Sequence, residues 1–529
     1  MPTETTDTSS SPSKRLSPWL IVAVCVAAVL QSVLVSMSPA IARDGITFIE
    51  TARSLQDDPV RTMRLADQHP GYPALLLVGR AVVAPLTGTE SVLSWTWGGR
   101  LVSGVFGVGL IISVWLLARR TINAHIAGIA ALLAATLPLF RQSAADVLSD
   151  TPHLFFATTA TWLVVEGMTR ARWTWFLGAG LACGCAYWIR PEGLSVAVAA
   201  AVAFPLVAWR CRTATASQVV ACLAAMAVAA AAVACPYWLI GGKLTSKATT
   251  KPYLASAEEP REGLVPSWLR GPEPDPDDLE TVRWEPPPYE PPWQIVTGGV
   301  FRLVRKTGQC LRWVLLLPLV SGLIGFGRTR SHTPARMLIA TLLVVHLALL
   351  AWVYYAGRYI DERHVMVPAV LLMPWIASGC TILARRLSWY FRRRRPERST
   401  LYQHIALGVV IAFFIAFMLP RTLRTLHATE VPAIETALCL KEHAHEGDAV
   451  ITNAKYVLFY SGMPGRLIGY ETEEAPLRPS AAEAPYRFIV IDRRRRPLGE
   501  DWDRALEERY RPYPIRGIAH DQVRTLILR

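Results

Sequence analysis

Carboxylates stand at a few positions beside long apolar segments, where they could take part in acid–base or metal chemistry. Asp44 is the first carboxylate after the first apolar segment. A carboxylate that leaves a bilayer at this depth is partly desolvated, so it is suited to act as a general base or to anchor a cation. The alternative is a solvated loop charge that follows Arg43.

A second acidic element comprises Asp146 and Asp150, which lie four residues apart. On a helix this spacing places both carboxylates on one face, where they could meet one ligand or metal ion. Asp150 is followed by Thr151 and Pro152 and is also typical of a helix N-cap. The N-cap interpretation explains Asp150 alone and leaves Asp146 without a role.

Basic residues that could bind an anion occur in the segment Gly357–His364, with the sequence GRYIDERH. Arg358, Arg363 and His364 could hold a phosphate, because an arginine binds two phosphate oxygens through a bidentate fork. The acidic residues between them either hold the basic side chains in place or merely neutralise them.

Four further residues are candidates for positioning a substrate. His69 and Tyr72 lie in the sequence HPGYP, where two prolines make a stiff turn that fixes both side chains. The alternative for these two is simple helix initiation. Arg190 and Glu192 lie in the very short connection RPEG, where an ion pair is either structural or part of a site.

Apolar segments must position these residues. The chain has 529 residues, of which 52% are apolar and 18% charged, against about a quarter charged in soluble domains. A helix needs about 20 residues to cross the hydrocarbon layer, and backbone in lipid must satisfy its own hydrogen bonds. Stretches without Asp, Glu, Lys or Arg predict eleven spans: Leu16–Ala42, Leu101–Ala118, Thr121–Phe140, Thr151–Val165, Trp173–Ile189, Leu194–Trp209, Thr213–Gly242, Trp313–Gly327, Met337–Gly357, Val365–Ala384 and Leu401–Pro420.

The placement of Lys and Arg predicts the orientation of these spans. With the N-terminus in the cytoplasm, the inner connections are rich in arginine, up to the run Arg392–Arg395, whereas the outer connections carry most carboxylates. The first apolar run exceeds the ~7–15 residues of a signal-peptide core, which favours an uncleaved anchor. We expect a multi-pass protein of the bacterial inner membrane. Its net charge of +14 then suits anionic lipid rather than nucleic acid.

The predicted fold class is an all-α polytopic membrane protein with a small C-terminal α/β domain. Residues 1–15 are expected to form a cytoplasmic tail, residues 16–420 the transmembrane module, and residues 421–529 the extracytoplasmic domain. The module has two large outer loops, 43–99 and 243–312. Residues 71–79 in the first loop predict a helix along the membrane surface. The second loop is rich in proline and is either a lid or a passive linker.

Alternating apolar patterns predict the elements of the C-terminal domain. Ala449–Asn453, Phe488–Asp492 and Thr525–Leu528 are typical of strands, whereas Glu435–His445 and Asp501–Tyr510 are typical of helices. No Gly-rich phosphate loop occurs in this domain, because the sequence SGMPG at 461–465 lacks the required spacing.

Together these residues resemble the C-type glycosyltransferase superfamily, which includes protein O-mannosyltransferases and lipid A aminoarabinose transferases. The resemblance covers about residues 15–420 and is carried, in order, by RD at 43–44, HPGYP at 69–73, SAADVLSDTP at 143–152, RPEG at 190–193 and RHVMVP at 363–368. It implies a polyprenyl-phosphate-linked sugar donor and transfer to an acceptor hydroxyl with inversion.

The resemblance also implies roles for individual residues. Asp44 matches the general base or acceptor-orienting carboxylate, and either Asp146 or Asp150 matches the second acidic element. Arg363, with Arg358 as the alternative, matches the arginine that holds the lipid phosphate. Many members have Asp-Glu at the first position, whereas Gly45 follows Asp44 here, so the second acid is missing.

Two other classes of protein are alternatives to a glycosyltransferase. A transporter or lipid flippase would place ionisable groups near the bilayer midplane and often show inverted repeats, whereas these acidic groups cluster at outer helix ends. A binding or assembly protein would use the C-terminal domain as its interaction module. The acceptor stays open between lipid, polysaccharide and protein. A divalent cation would suit the carboxylates, although no ligand set in the sequence defines a metal site.

Overall fold

The computed structural model describes residues 17–88, 91–242, 244–245, 292–325, 333–357, 359–445, 447–467, 486–492, 494, 510–513, 515 and 523–528. The predicted cytoplasmic tail, residues 1–15, lies outside these ranges. So do residues 246–291, and with them most of the loop that we expect to be a lid or a linker.

The first half of the described chain is helical. Its helices are α1 (Pro18–Met37), α2 (Arg43–Asp57), α3 (Pro59–Leu65), α4 (Gly71–Thr87), α5 (Val92–Thr121), α6 (Ala124–Thr136), α7 (Pro138–Ala145), α8 (Asp150–Arg170), α9 (Trp173–Ile189), α10 (Ser195–Cys211) and α11 (Ala216–Gly241). A 3-10 turn at Pro191–Leu194 links α9 to α10.

Helices continue in the second half and are followed by a small sheet. The helices are α12 (Pro292–Cys310), α13 (Leu316–Gly325), α14 (Thr333–Gly357), α15 (Met366–Arg394), α16 (Ser399–Thr422), α17 (Val431–His443) and α18 (Lys455–Ser461). Shorter 3-10 turns lie at Glu362–Val365, Pro396–Arg398 and Ala428–Glu430. The strands are β1 (Ala449–Thr452), β2 (Gly465–Leu467), β3 (Tyr486–Asp492), β4 (Tyr510–Pro512) and β5 (Val523–Leu528).

Each of the eleven predicted spans overlaps at least one helix of the described chain. Within the described ranges, seven helical segments are long and apolar enough to cross a membrane, and the bent pair α6–α7 makes an eighth if it counts as one span. The prediction of a multi-span helical membrane protein is therefore confirmed. The number of eleven crossings stays a prediction.

Helix α5 starts at Val92, nine residues before the predicted start of the span at Leu101. The prediction starts the span too late because it treats every charged residue as a boundary, and a charged residue lies inside this helix. Arg100 ends the charge-free stretch in the sequence, yet its side chain is buried and donates to the carbonyl oxygens of Ser38 and Ala40, each at 2.8 Å. Two backbone carbonyls thus accept hydrogen bonds from the guanidinium within the helical bundle and offset part of the cost of burying its charge.

The predicted span Thr121–Phe140 is broken in the structure. Helix α6 ends at Thr136, α7 begins at Pro138, and the two axes are bent by 59°. Proline suits the first turn of a helix but interrupts a continuous one, since it has no N–H to donate. Helix α7 ends at Ala145, directly before Asp146.

The C-terminal sheet confirms the small α/β domain. Its strand order is β2-β1-β3-β5-β4, with β1 parallel to β2 and β3, and with β5 antiparallel to β3 and β4. Three of these strands coincide with the predicted ones, and α17 coincides with the first predicted helix. Residues 501–509, which contain most of the second predicted helix, lie outside the described ranges.

The C-terminal domain shares an apolar core with the segment that follows α1. Ile41 and Ile46 pack in one cluster with Tyr72, Val450 and Tyr456, all of them buried. Burial of this kind is the main stabilising term between packed elements. The domain is therefore docked on the start of α2, which carries Asp44.

Helices α13 and α15 approach each other through glycine. A Cβ atom added at Gly379 would lie 1.7 Å from the carbonyl oxygen of Pro318, and one added at Gly322 would lie 1.9 Å from that of Trp375. Small residues of this kind let membrane helices pack with their backbones in close contact.

Gly379→Ala should therefore destabilise the protein, since one of the two backbones must move to admit the methyl group. We expect a loss of at least about 1–3 kcal/mol in the free energy of unfolding, measured by thermal unfolding in detergent. Gly408→Ala in α16 is the matched control, because an added Cβ there meets no atom within 4 Å. Equal shifts in the two variants would contradict this packing.

Candidate functional site

An ion pair between Asp44 and Arg363 joins two distant parts of the chain. Arg363 Nη1 donates to Asp44 Oδ2 at 2.7 Å, across 319 residues of sequence. Asp44 lies in the first turn of α2, and Arg363 lies in the 3-10 turn before α15. The Asp44 side chain remains 53% exposed. The structure thus brings together the candidate base and the candidate phosphate ligand.

Two further carboxylates lie near the same guanidinium. Asp361 Oδ2 is 3.4 Å from Arg363 Nε, and Asp150 Oδ2 is 4.0 Å from Arg363 Nη1. Burial alone would raise the pKa of Asp361, but the Glu362 N–H and the positive charges of Arg363 and Lys306 lower it overall. Three carboxylates thus surround the Arg363 guanidinium, although Asp150 and Asp361 also have Arg190 and Lys306 as cationic partners.

Asp150 is the buried partner of Arg190. Its side chain is 1% exposed, and Oδ1 lies 2.8 Å from Arg190 Nη2. Arg190 Nε also donates to the hydroxyl of Ser149 at 3.1 Å. Arg190 thus joins the turn after α9 to the start of α8, and Asp150 links this pair to Arg363.

A small cleft brings five of the ten predicted site residues together. The predicted residues that line it are Asp150, Arg190, Glu192, Arg363 and His364. The other lining residues are His153, Leu154, His346, Leu350, Met366 and Val367. His364 also shapes the turn, because its Nδ1 accepts the backbone N–H of Asp361 at 3.1 Å.

Sequence reasoning missed two of the cleft residues, His153 and His346. Both are buried, and both lie within predicted membrane spans, on α8 and α14. That position was the available signal, because an ionisable side chain inside a membrane span usually faces the bundle interior and serves a function. His346 Nε2 lies 3.2 Å from the carbonyl oxygen of His364, while its buried Nδ1 has no hydrogen-bond partner among the described residues.

Asp146 does not share a helix face with Asp150, so that prediction is wrong. Helix α7 ends at Ala145, Asp146 is extended, and α8 begins at Asp150. The physical reason is local competition: Asp146 Oδ1 accepts the backbone N–H of Val147 at 2.7 Å and that of Ala42 at 2.8 Å. Asp150 occupies the first turn of α8, whose N-cap is Ser149.

His69 and Tyr72 lie apart from the cleft. The Tyr72 hydroxyl is 2.9 Å from the Ser103 hydroxyl, and its ring is fully buried. His69 Nε2 is 3.3 Å from the hydroxyl of Thr245, and its ring packs on Tyr237. Since α4 begins at Gly71, these contacts fit helix initiation and packing.

Two parts of the prediction remain without a structural placement. Arg358 lies outside the described residues. In the part of the chain that the structure covers, no group of three or more His, Cys, Asp or Glu is arranged to hold a metal ion. The divalent cation therefore stays a sequence-based prediction without assigned ligands.

Comparisons with known proteins address the fold. A family model described as dolichyl-phosphate-mannose-protein mannosyltransferase matches residues 91–238. The structure of ArnT from Cupriavidus metallidurans bound to undecaprenyl phosphate is similar, with a TM-score of 0.54, 15% identity, and coverage of 96% of this chain and 97% of that chain. Its apo state gives a TM-score of 0.53, 14% identity and the same coverage, 96% and 97%.

A third structure is more distant. The archaeal oligosaccharyltransferase AglB from Archaeoglobus fulgidus, in complex with an inhibitory peptide and a dolichol-phosphate, gives a TM-score of 0.49 at 11% identity, with coverage of 90% and 69%. No curated protein sequence matches the chain. The two ArnT structures show that this membrane protein has the C-type glycosyltransferase fold, and the family model supports the predicted resemblance over residues 91–238.

Asp150 should contribute more than Asp44 to the free energy of unfolding. Asp150→Asn should cost about 3 kcal/mol or more, since it removes the buried charge that pairs with the partly buried Arg190. Asp44→Asn should change the free energy of unfolding by less than about 1 kcal/mol, because that ion pair is solvent-exposed. Thermal unfolding of both variants checks this order, and a larger loss for Asp44→Asn would contradict it.

Proposed function

We propose that this protein is a membrane glycosyltransferase that moves a sugar from a polyprenyl-phosphate donor to an extracytoplasmic acceptor hydroxyl, with inversion. The observation that carries the proposal is the Asp44–Arg363 pair at 2.7 Å, beside a cleft of charged and imidazole side chains. The family model describes a mannosyltransferase with a lipid-phosphate donor, and the similar ArnT structure is bound to undecaprenyl phosphate.

The reaction assigns opposite tasks to the two members of the pair. Asp44 would accept the proton of the acceptor hydroxyl, whose oxygen attacks the anomeric carbon of the donor sugar. The bond between that carbon and the phosphate oxygen breaks, and the lipid phosphate leaves with the electron pair. Arg363 would stabilise the negative charge that builds up on the departing phosphate.

Binding of the donor would also free the base. In the ion pair, Arg363 holds the Asp44 carboxylate, which is the most exposed of the three acidic groups around it. A phosphate that takes the place of Asp44 on Arg363 releases this carboxylate for the acceptor. Asp150 and Asp361 would then keep the guanidinium oriented.

The polar groups that line the cleft match those of the headgroup of such a donor. Asp150 and the partly buried Arg190 present an ion pair, and His346 Nδ1 has no hydrogen-bond partner among the described residues, so sugar hydroxyls would find both donors and acceptors there. The polyprenyl tail would lie in lipid along the exposed apolar sides of the helices. This tethering meets a physical need, because the outer compartment holds no nucleotide sugars.

The proposed location follows from the charge pattern. We infer an inner-membrane protein with its arginine-rich connections in the cytoplasm and with Asp44, the cleft and the C-terminal domain outside. A transporter or flippase is less well supported, since Asp44, Asp150 and Arg363 all lie at helix ends. The acceptor class remains lipid, polysaccharide or protein.

Removing the base should slow the chemical step. We expect Asp44→Asn to lower kcat by about 10²–10⁴-fold, the usual contribution of a general base. Arg363→Lys keeps a positive charge but loses the fork, so both kcat and the affinity for the donor should fall. The assay measures polyprenyl phosphate released from a panel of polyprenyl-phosphate sugars by the purified full-length protein.

Asp57→Asn is the matched control, because Asp57 is an exposed carboxylate at the other end of α2. Its turnover should equal that of the wild-type protein. Wild-type rates in both Asp44→Asn and Arg363→Ala, each correctly inserted, would refute the assignment.

His346 should act on donor binding rather than on proton transfer. His346→Ala removes a hydrogen-bonding group from the cleft, and we expect KM for the donor to rise by about tenfold, the equivalent of one hydrogen bond. His404→Ala, an exposed histidine on α16, serves as the control. An unchanged KM with a lower kcat would contradict a role in binding the headgroup.

A further inference from the structure

The segment between α1 and α2, residues 38–42, is tied to the rest of the bundle by buried charges. Arg100 in α5 donates to the carbonyl oxygens of Ser38 and Ala40. Asp146 Oδ1 accepts the backbone N–H of Ala42, the N-cap residue of α2. Asp44 follows two residues later, so these bonds fix the backbone from which the candidate base projects.

Asp146 connects this segment to the C-terminal domain. Its second oxygen, Oδ2, lies 2.6 Å from His427 Nε2, in the connection between α16 and α17. The Asp146 side chain is only 4% exposed, so a carboxylate is held here by three directed bonds and little water. His427 itself adopts a left-handed conformation with φ of 53°, which few residues other than glycine adopt readily.

The C-terminal domain holds the same region from the other side. The Tyr456 hydroxyl donates to the carbonyl oxygen of Ile41 at 3.0 Å. Lys455 Nζ lies 2.6 Å from Glu50 Oε2 and donates to the hydroxyl of Thr47 at 3.0 Å. Both Thr47 and Glu50 belong to α2, so the domain contacts the helix that carries Asp44.

We propose that Asp146 is a positioning residue for the proposed reaction: together with His427 it couples the C-terminal domain to the first turn of α2 and so fixes Asp44. The inference rests on the proposed function, in which Asp44 is the reacting carboxylate. Asp146 lies outside the cleft and acts only through Ala42 and His427. A small displacement of a reacting group is enough to slow catalysis, because a shift of about 1 Å can cost 10²-fold.

Charge strengthens this link when His427 is protonated. The groups that face His427 are Asp146 between α7 and α8, Arg100 on α5, and Glu430 on its own connection. Burial alone would lower the pKa of His427, but its hydrogen bond and charge pairing with Asp146 raise it overall. The stabilisation of the folded state by this charge pairing is therefore fully present below the ordinary histidine pKa of about 6.5. It is lost as pH rises through the higher folded-state pKa of His427.

The first test compares kinetic constants of the full-length protein. Asp146→Asn should lower kcat by about 10–100-fold, while KM for the donor changes by less than about threefold, since the donor site is intact. His427→Ala should show the same pattern, and His427→Gln, which still donates to Asp146, should recover part of the loss. The double variant Asp146→Asn/His427→Ala should be no slower than the worse single variant, because both break one link.

The pH profile gives a readout that a general loss of stability would not move. In the wild-type protein, kcat should decline as His427 loses its proton, and His427→Gln should abolish that limb of the profile. Arg487→Ala is the matched control, because it breaks an ion pair with Asp448 at 2.8 Å inside the C-terminal domain. It should leave both kcat and the pH profile unchanged.

A second measurement does not depend on sugar transfer. Amide hydrogen exchange at residues 42–47 should be faster in Asp146→Asn and in His427→Ala than in the wild type and in Arg487→Ala. Unchanged exchange in both variants, or a donor KM that rises while kcat is retained, would overturn the proposal. Faster exchange in both variants, together with a wild-type protein that transfers no sugar, would refute the proposed function and confirm the structural link. If Asp146→Asn does not fold, His427→Ala tests the same link.

Discussion

A charge at the end of an apolar helix must find a partner within the protein, because neither lipid nor a packed core offers it enough water. This constraint decides which distant segments meet. It joins Asp150 to Arg190 and Asp146 to His427, and it joins the partly buried Arg363 to Asp44, whose own side chain is 53% exposed. Each pair links a helix end to another part of the chain, so the ends of α2, α8, α9 and α15 are held relative to one another.

Asp146 and Asp150 show how strongly surroundings determine what a carboxylate does. They are four residues apart, yet one lies in an extended break and the other begins a helix. Asp150 enters the cleft with Arg190 and Arg363. Asp146 turns towards Ala42 and His427 and never reaches the cleft lining. The sequence resemblance offered a choice between them for one acidic role, whereas the structure places them in two separate environments.

The spans were predictable because long apolar stretches are a local property that directly reflects the surroundings of a helix. The same rule misplaced the start of α5, since it treats every charge as a boundary and Arg100 is a buried charge with carbonyl partners. The rule also overlooked His153 and His346, because it counts only Asp, Glu, Lys and Arg and both histidines lie inside predicted spans. The pairing of Asp44 with Arg363 depends on packing across 319 residues, so only the family resemblance, and no spacing rule, linked them.

The missing second acid after Asp44 has a steric explanation in the same region. A Cβ atom at position 45 would lie 2.8 Å from the carbonyl oxygen of Val147 and 2.9 Å from its Cβ, so no side chain fits at Gly45 without movement. Val147 lies in the α7–α8 break directly after Asp146, whose side chain accepts the N–H of Ala42. The steric contact at Gly45 and the Asp146–Ala42 hydrogen bond therefore both belong to the packing of this break on the start of α2. In this packing the start of α2 has room for the carboxylate of Asp44 but for no side chain at the next position.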